Sequence, residues 1–225
     1  MLTVHHLNIS ASERIVWLCE ELALNYTLVL HTRDPKTKLS PPSLTSLPGN
    51  PTGTAPLIQD GAVTLSESAA IVEYIIHKHG NGRLAVSPNA PNYADYLYWF
   101  HFANGSLQAR MSTNLMLSHA GGPGDNPVRK MMWTRLQQLL ANVDRRLRET
   151  GAYLAGDEFT AADIMSVFSL TTMRQFLPMS FGEYPNIVEY LCRIGKREGY
   201  RRAMEKGDNN MELLLGAEPS SKSLM

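Results

Sequence analysis

Apolar and polar positions change period along the chain, and the changes mark out its elements. Residues 2–7 form a short run with β-branched side chains at its centre and read as a strand. Ile15, Leu18, Cys19 and Leu22 then recur at helical spacing, with Glu13, Arg14, Glu20 and Glu21 on other faces. Residues 26–30 read as a second strand. The proline-rich stretch 33–51 is a long loop with room for a helical turn. Residues 56–64 read as a hairpin, because Asp60-Gly61 separates two short apolar runs. Residues 66–79 return to helical spacing. The order βαβ, loop, ββα joins the first two strands through a helix, which implies a parallel pair, and the last two by a tight antiparallel turn. A small mixed sheet with helices on its faces is expected.

From residue 80 the pattern changes. Gly80, Gly82, Pro88 and Pro91 punctuate a polar linker, and strand signals then vanish. Tyr93, Tyr96, Leu97, Phe100, Leu107, Met111 and Leu115 trace one stripe of a long helix. Residues 121–127 break it, and a second long helix starts with Pro127 at its first position. Thr160-Ala161-Ala162-Asp163 is a capping-box pattern ahead of the apolar run 164–170. Further helices are expected at 185–195 and 200–206, with a disordered Ser-rich tail from Gly216. The expected division is therefore an α/β domain over 1–82, a linker over 83–91, an all-helical domain over 92–215 and a tail over 216–225.

Composition narrows the function. Lys plus Arg number 21 and Asp plus Glu 21, so no basic excess serves a nucleic acid. No apolar stretch approaches the roughly 18–20 residues of a membrane span. The first residues lack the charge and apolar run of a signal peptide, and two distant cysteines make no disulfide framework, so a cytoplasmic protein is expected. The seven histidines do not cluster: His5 and His6 alternate across a strand, and no metal-ligand spacing occurs, so no metal is expected.

Three segments carry candidate chemistry. Ser10-Ala11-Ser12-Glu13-Arg14 lies where the first strand meets the first helix. Ser10 with Glu13 has the spacing of a capping box and Ser12 is a second cap candidate; the same place offers unpaired N–H groups and a positive dipole end to an anion such as a thiolate. Thr54-Ala55-Pro56 precedes a strand, where a cis proline would free the backbone of Ala55 for a peptide-like ligand. Glu67-Ser68 opens a helix, either as an acidic first turn or as a carboxylate and hydroxyl facing a zwitterion.

Together these segments resemble the glutathione transferase family over residues 2–207. His6-Leu-Asn-Ile-Ser10-x-x-x-Arg14 is similar to the family's strand–turn–helix with an activating Ser. Asn50-Pro51-x-Gly53-Thr54-Ala55-Pro56 resembles the segment ending in its cis-proline, and Glu67-Ser68-x-Ala70-Ile71 its E-S-x-A-I segment. The run 153–164 resembles its helix-capping motif. Arg33-Asp-Pro-Lys-Thr37 with Pro41-Pro42, and Tyr98-Trp-Phe-His101-Phe-Ala-Asn-Gly105-Ser106, resemble the fungal and bacterial group.

The resemblance implies a thioredoxin-like domain, an all-α bundle, a cis Ala55–Pro56 bond, a homodimer and a detoxifying transferase with glutathione as co-substrate. No Tyr opens the first helix and no Cys lies over 8–13, so the activating role falls on Ser10, Asn8 or a backbone amide. Thr54, Ala55 and Pro56 would hold the cysteinyl unit, Glu67 and Ser68 the γ-glutamyl group and Lys38 the glycyl carboxylate. Phe102, Ser106, Arg110 and Met111 would line the site of a small apolar electrophile. A glutathione-dependent peroxidase and a non-catalytic binding module share the same features. A thiol of pKa about 8.5 is only about 3% ionised at pH 7, and lowering it by about two makes it roughly three-quarters ionised for about 2.7 kcal/mol. One hydrogen bond to a charged group supplies about 1.5–3 kcal/mol.

Overall fold

The computed structural model describes residues 1–120, 126–220 and 224. They divide into two compact units, Met1–Ala85 with Lys196–Met211, and Val86–Gly195 with Glu212–Met225.

The first unit contains β1 (Leu2–Leu7), α1 (Glu13–Glu21), β2 (Thr27–His31), a single-turn α2 (Pro42–Thr45), β3 (Leu57–Asp60), β4 (Val63–Ser66) and α3 (Ser68–Lys78). The sheet order is β2-β1-β3-β4. β1 runs parallel to β2, with Val4 opposite Leu28, and antiparallel to β3, with Val4 opposite Ile58. This is the expected thioredoxin-like arrangement. Val4, Ile15, Leu18, Leu57, Ile58, Ile71, Val72 and Ile75 have no exposed surface, so the helical stripes and the inner strand positions form one core. Cys19 is buried in it, and burial together with Glu20 pushes its thiol up to about 12, too high to ionise near neutrality.

The C-terminal helix α9 (Glu198–Asp208) also belongs to this unit, whereas the sequence placed it in a helical domain running to 215. The reason is chemical. Glu20 on α1 accepts from Lys206 Nζ at 2.6 Å and Arg202 Nε at 3.1 Å, and Glu21 pairs with Arg197 Nε at 2.8 Å. Trp17 meets Tyr200 edge-on at 5.0 Å between ring centroids. Gly199 and Gly207 allow the close approach: a Cβ would stand 2.6 Å from Glu21 Cδ at the first and 3.0 Å from His6 Nε2 at the second.

The second unit is helical. α4 (Tyr93–Phe102) runs through a π-helical segment (Ala103–Gln108) into α5 (Ala109–His119). α6 (Pro127–Thr150) begins with Pro127 as expected, its Asn126 cap accepting from Val128 N at 2.9 Å. The expected break over 121–127 lies in large part outside the described residues. α7 (Ala161–Leu170) is buried all round, and α8 spans Pro185–Gly195. The capping box forms. Asp163 accepts from Thr160 N at 2.9 Å and from Leu154 N and Tyr190 OH at 3.0 Å each. Full burial pushes its carboxyl up to about 6 against the pull of these donors.

The tail departs from the expected disorder at its start. Arg174, fully buried, donates to the carbonyls of Leu214, Gly216, Ala217 and Glu218, and Phe181 N donates to Ala217 O. These backbone bonds to one guanidinium are invisible in the Ser-rich composition that suggested a free end.

Candidate active site

The turn between β1 and α1 is built by Arg33 and Asp208. Arg33 Nε donates to Asn8 O and Nη2 to Ile9 O, both at 3.1 Å, while Nη1 reaches Lys38 O at 3.0 Å. Burial holds the Arg33 pKa below its ordinary value, opposed by the charge of Asp208. Ile9 sits at φ +52, an outlier for a β-branched residue, and its N–H donates to Asp208 Oδ1 at 2.8 Å. Asn8 N donates to His31 O, and Asn8 Oδ1 accepts from Arg33 N at 2.8 Å. The carboxamide is thereby fixed, and its Nδ2 has no partner among the described residues. The backbone N–H groups of Ser10 and Ala11 likewise have no partner among the described residues.

Ser10 faces inward. Its Oγ lies 2.8 Å from Leu7 O and 2.7 Å from Ser12 Oγ, and it accepts from Ser12 N at 3.2 Å. The Ser10–Glu13 capping box suggested by spacing does not form, and Ser12, at the cap position, makes no side-chain cap bond. Ser12 Oγ instead accepts from Leu7 N at 3.0 Å and lies 2.9 Å from His6 Nδ1; His6 Nε2 lies 3.1 Å from Asp208 Oδ2. Four side chains thus form one hydrogen-bonded line. The other histidine of the pair faces the opposite side: His5 Nδ1 lies 3.0 Å from His31 Nε2, whose Nδ1 meets Ser43 Oγ at 3.0 Å. Burial, then His5 and His6, lower the His31 pKa.

The Ala55–Pro56 peptide is cis, and among the described residues no backbone hydrogen bond uses Ala55. Thr54 is exposed, its Oγ1 2.7 Å from Thr52 Oγ1. Glu67 is exposed at φ +73 and caps α3 with no side-chain bond, so the plain reading as a helix cap is not realised. Ser68 is buried, with no hydroxyl partner among the described residues. Lys38 is exposed at φ +61, held through its carbonyl by Arg33. All these residues lie in the first unit.

A pocket of about 320 Å³ opens in the same unit, lined by Asn8, Ile9, Thr32 and residues 207–211. In the helical unit the four residues expected to meet an electrophile separate. Met111 has no exposed surface and Phe102 only 5%, so both serve the core, as an apolar helical stripe normally does. Ser106 and Arg110 keep partial exposure, Arg110 Nη1 resting 2.9 Å from Met132 Sδ.

From sequence, Ser12 has only a capping role, His6 and Arg33 only a place in motifs, and Asp208 no part at all. The one local signal was a polar pair, His5-His6, inside an apolar strand. Among the described residues no group of three or more His, Cys, Asp or Glu stands close enough to hold a metal, and no helix is long and apolar enough to cross a membrane.

Comparison with known proteins places these features in context. The family model for the glutathione S-transferase N-terminal domain matches residues 10–78, and that for the C-terminal domain matches residues 115–198. Glutathione S-transferase 3 of Schizosaccharomyces pombe is 29% identical over 223 residues, covering 93% of this chain and 89% of its own. A crystal structure of a glutathione S-transferase from Actinobacillus pleuropneumoniae is 30% identical with a TM-score of 0.82, covering 92% of this chain and 93% of its own. A glutathione transferase of Phanerochaete chrysosporium, solved with oxidized glutathione, shares the fold at 21% identity and a TM-score of 0.74, covering 91% of this chain and 94% of its own.

Proposed function

The chain belongs to the glutathione S-transferase family, and from that premise we propose that it holds the sulfur of glutathione as a thiolate at the Asn8–Ala11 turn for attack on electrophiles. One observation carries the assignment: Asn8 Nδ2, Ser10 N and Ala11 N are donors on one short turn, and none has a partner among the described residues. Unused donors at the N-terminal end of a helix stabilise an anion. The thiolate, not the thiol, is the nucleophile.

Asn8 is the side-chain donor in this reading. Its carboxamide is oriented by the Arg33 N–H on Oδ1, which leaves the Nδ2 hydrogens for a ligand. Ser10 cannot play the same part in the resting protein, because its hydroxyl hydrogen is engaged with Leu7 O or Ser12 Oγ. The unpaired backbone of Ala55 pairs with the cysteinyl unit, with Thr54 and Pro56 framing it. Glu67, the Ser68 hydroxyl and the first amides of α3 take the γ-glutamyl ammonium and carboxylate. The strain of Glu67 at φ +73 supports that role, since such conformations persist where the surroundings over-determine them. Lys38 takes the glycyl carboxylate. Binding of this kind positions the sulfur, and positioning supplies rate beyond ionisation.

The electrophile is proposed to enter beside Asn8, where the pocket walled by Thr32 and residues 207–211 meets the turn. A conjugation assay with a chromogenic aryl halide tests the reading: turnover saturable in glutathione is expected, and retention on immobilised glutathione without any turnover would leave a binding module.

A further inference from the structure

With the His6 imidazole neutral, the line Ser10–Ser12–His6–Asp208 has a direction that hydrogen bonding sets. An ionised carboxylate only accepts. Asp208 Oδ1 accepts from Ile9 N, and Oδ2 faces His6 Nε2, so His6 carries its hydrogen on Nε2. Nδ1 is then an acceptor, and the group 2.9 Å from it, Ser12 Oγ, must donate. Ser12 and Ser10 share one hydrogen across 2.7 Å, and since the Ser12 hydrogen goes to His6, Ser10 supplies it. In this arrangement the hydrogens of the line point from the active-site turn toward Asp208, while Leu7 O, 2.8 Å from Ser10 Oγ and 3.3 Å from Ser12 Oγ, is the other acceptor within reach of both hydroxyls. The line is shielded: Ser12 is 0% exposed, His6 1% and the Asp208 side chain 2%, with Ser10 at 7% as its outer end. Gly207 makes room for the imidazole, because a Cβ there would stand 3.0 Å from Nε2.

We propose that His6, held by Asp208, stores the proton that glutathione loses, receiving it through Ser10 and Ser12. The inference rests on the reading of the turn as the thiolate site. In the step, the S–H bond breaks and its electron pair stays on sulfur. The proton passes to Ser10 Oγ, the former Ser10 hydrogen moves to Ser12 Oγ, and the former Ser12 hydrogen forms a new N–H bond at His6 Nδ1. The products are a thiolate and an imidazolium beside a carboxylate. The hydrogen now on Ser10 came from the sulfur and points back at it, so Ser10 becomes a donor to the thiolate only once the thiolate exists. In this step the imidazolium forms beside the Asp208 carboxylate, so the products include a buried ion pair. His31 on β2 feels His6, and Arg33 after it feels Asp208. After sulfur attacks, the proton returns along the same line to the leaving group or to water. His6 touches no substrate, and Asp208, although its residue borders the pocket, turns its carboxylate to Ile9 N and His6 Nε2; toward the sulfur both act as positioning residues.

The test uses the intact protein labelled with ¹⁵N-histidine, with His6 assigned by comparison with His6→Gln. Free protein is expected to show His6 neutral with its hydrogen on Nε2. Glutathione is expected to convert it to imidazolium, whereas S-methylglutathione, which has no thiol proton, leaves it neutral. His6 remaining neutral while the thiolate absorbance of glutathione appears would overturn the proposal and leave the thiolate site intact. If glutathione neither binds nor ionises on the wild-type protein, the functional reading itself fails. A second variant separates charge from architecture. Asp208→Asn keeps an oxygen for Ile9 N–H but turns an amide donor toward His6, which forces the other tautomer and reverses the line. Its bound thiol is expected to titrate about one pH unit higher, with about tenfold less thiolate near neutrality, and an unchanged KM for glutathione. An unchanged titration in a folded Asp208→Asn protein would contradict the relay.

Discussion

Asp208 Oδ1 accepts the N–H of Ile9 at 2.8 Å across 199 positions of sequence, and the residue so held is a β-branched one at φ +52. The end of the last helix of the first unit thereby fixes the turn at the end of its first strand. Replacing Asp208 by Ala leaves that amide and the His6 imidazole without their shared acceptor. A loss of about 2–4 kcal/mol in unfolding free energy is expected, read by urea denaturation. A loss below about 0.5 kcal/mol would show that the turn holds its shape unaided.

The carboxyl of Asp163 ties stability to pH. Its folded pKa of about 6 exceeds the ordinary 3.8, so the folded state holds the proton more tightly than the unfolded one. Its favourable contribution is complete below about pH 3.8 and is lost as pH rises to 6, by about 3 kcal/mol in all. Asp163→Asn, which does not titrate, is less stable throughout because it gives up acceptors. The gap between wild type and variant is expected to narrow between pH 4 and 6 and then stay level. Denaturation at several pH values checks the sign, and a gap that widens over that range would contradict it.

Arg174 staples the chain end by donating to carbonyls alone, with its guanidinium carbon 4.1 Å from the Phe181 ring centre. Burial lowers its pKa to about 10, so it stays charged near neutral pH. Arg174→Met keeps most of the stem packing and removes every donor. Rapid proteolysis within residues 212–220 and a stability loss of about 2–4 kcal/mol are expected, with peptide mapping as the readout.

The Glu67 carboxylate has no partner among the described residues and is exposed, so removing its charge acts on the ligand rather than on the fold. Glu67→Gln is expected to raise KM for glutathione about tenfold while kcat changes less than about twofold, the pattern of lost uniform binding. Steady-state kinetics at saturating electrophile decide it.

Much of this was legible in the sequence because it is local. The strand Leu2–Leu7, the helix Pro185–Gly195 and the Thr160–Asp163 capping box depend on periodicity and near neighbours, and they appear where the pattern put them. Ser10 shows where local reading stops. The Ser10–Glu13 spacing fits a cap, but the hydroxyl found Leu7 O and Ser12 Oγ, and no spacing rule weighs those against each other. The π-helical turn at Ala103–Gln108 follows no local signal. Asp208 lay beyond reach for a different reason: its role exists only after α9 has docked on α1 through Glu20 and Glu21, nearly the whole chain away.

The central claim is that the Asn8–Ala11 turn keeps the glutathione sulfur ionised, and the thiolate absorbance of bound glutathione followed against pH measures it directly. In the wild-type protein the midpoint is expected at least about one pH unit below the free-thiol value of about 8.5, and in Asn8→Ala it is expected to move back up by about one. A wild-type midpoint at the free-thiol value, or the same lowered midpoint in both proteins, would contradict the account.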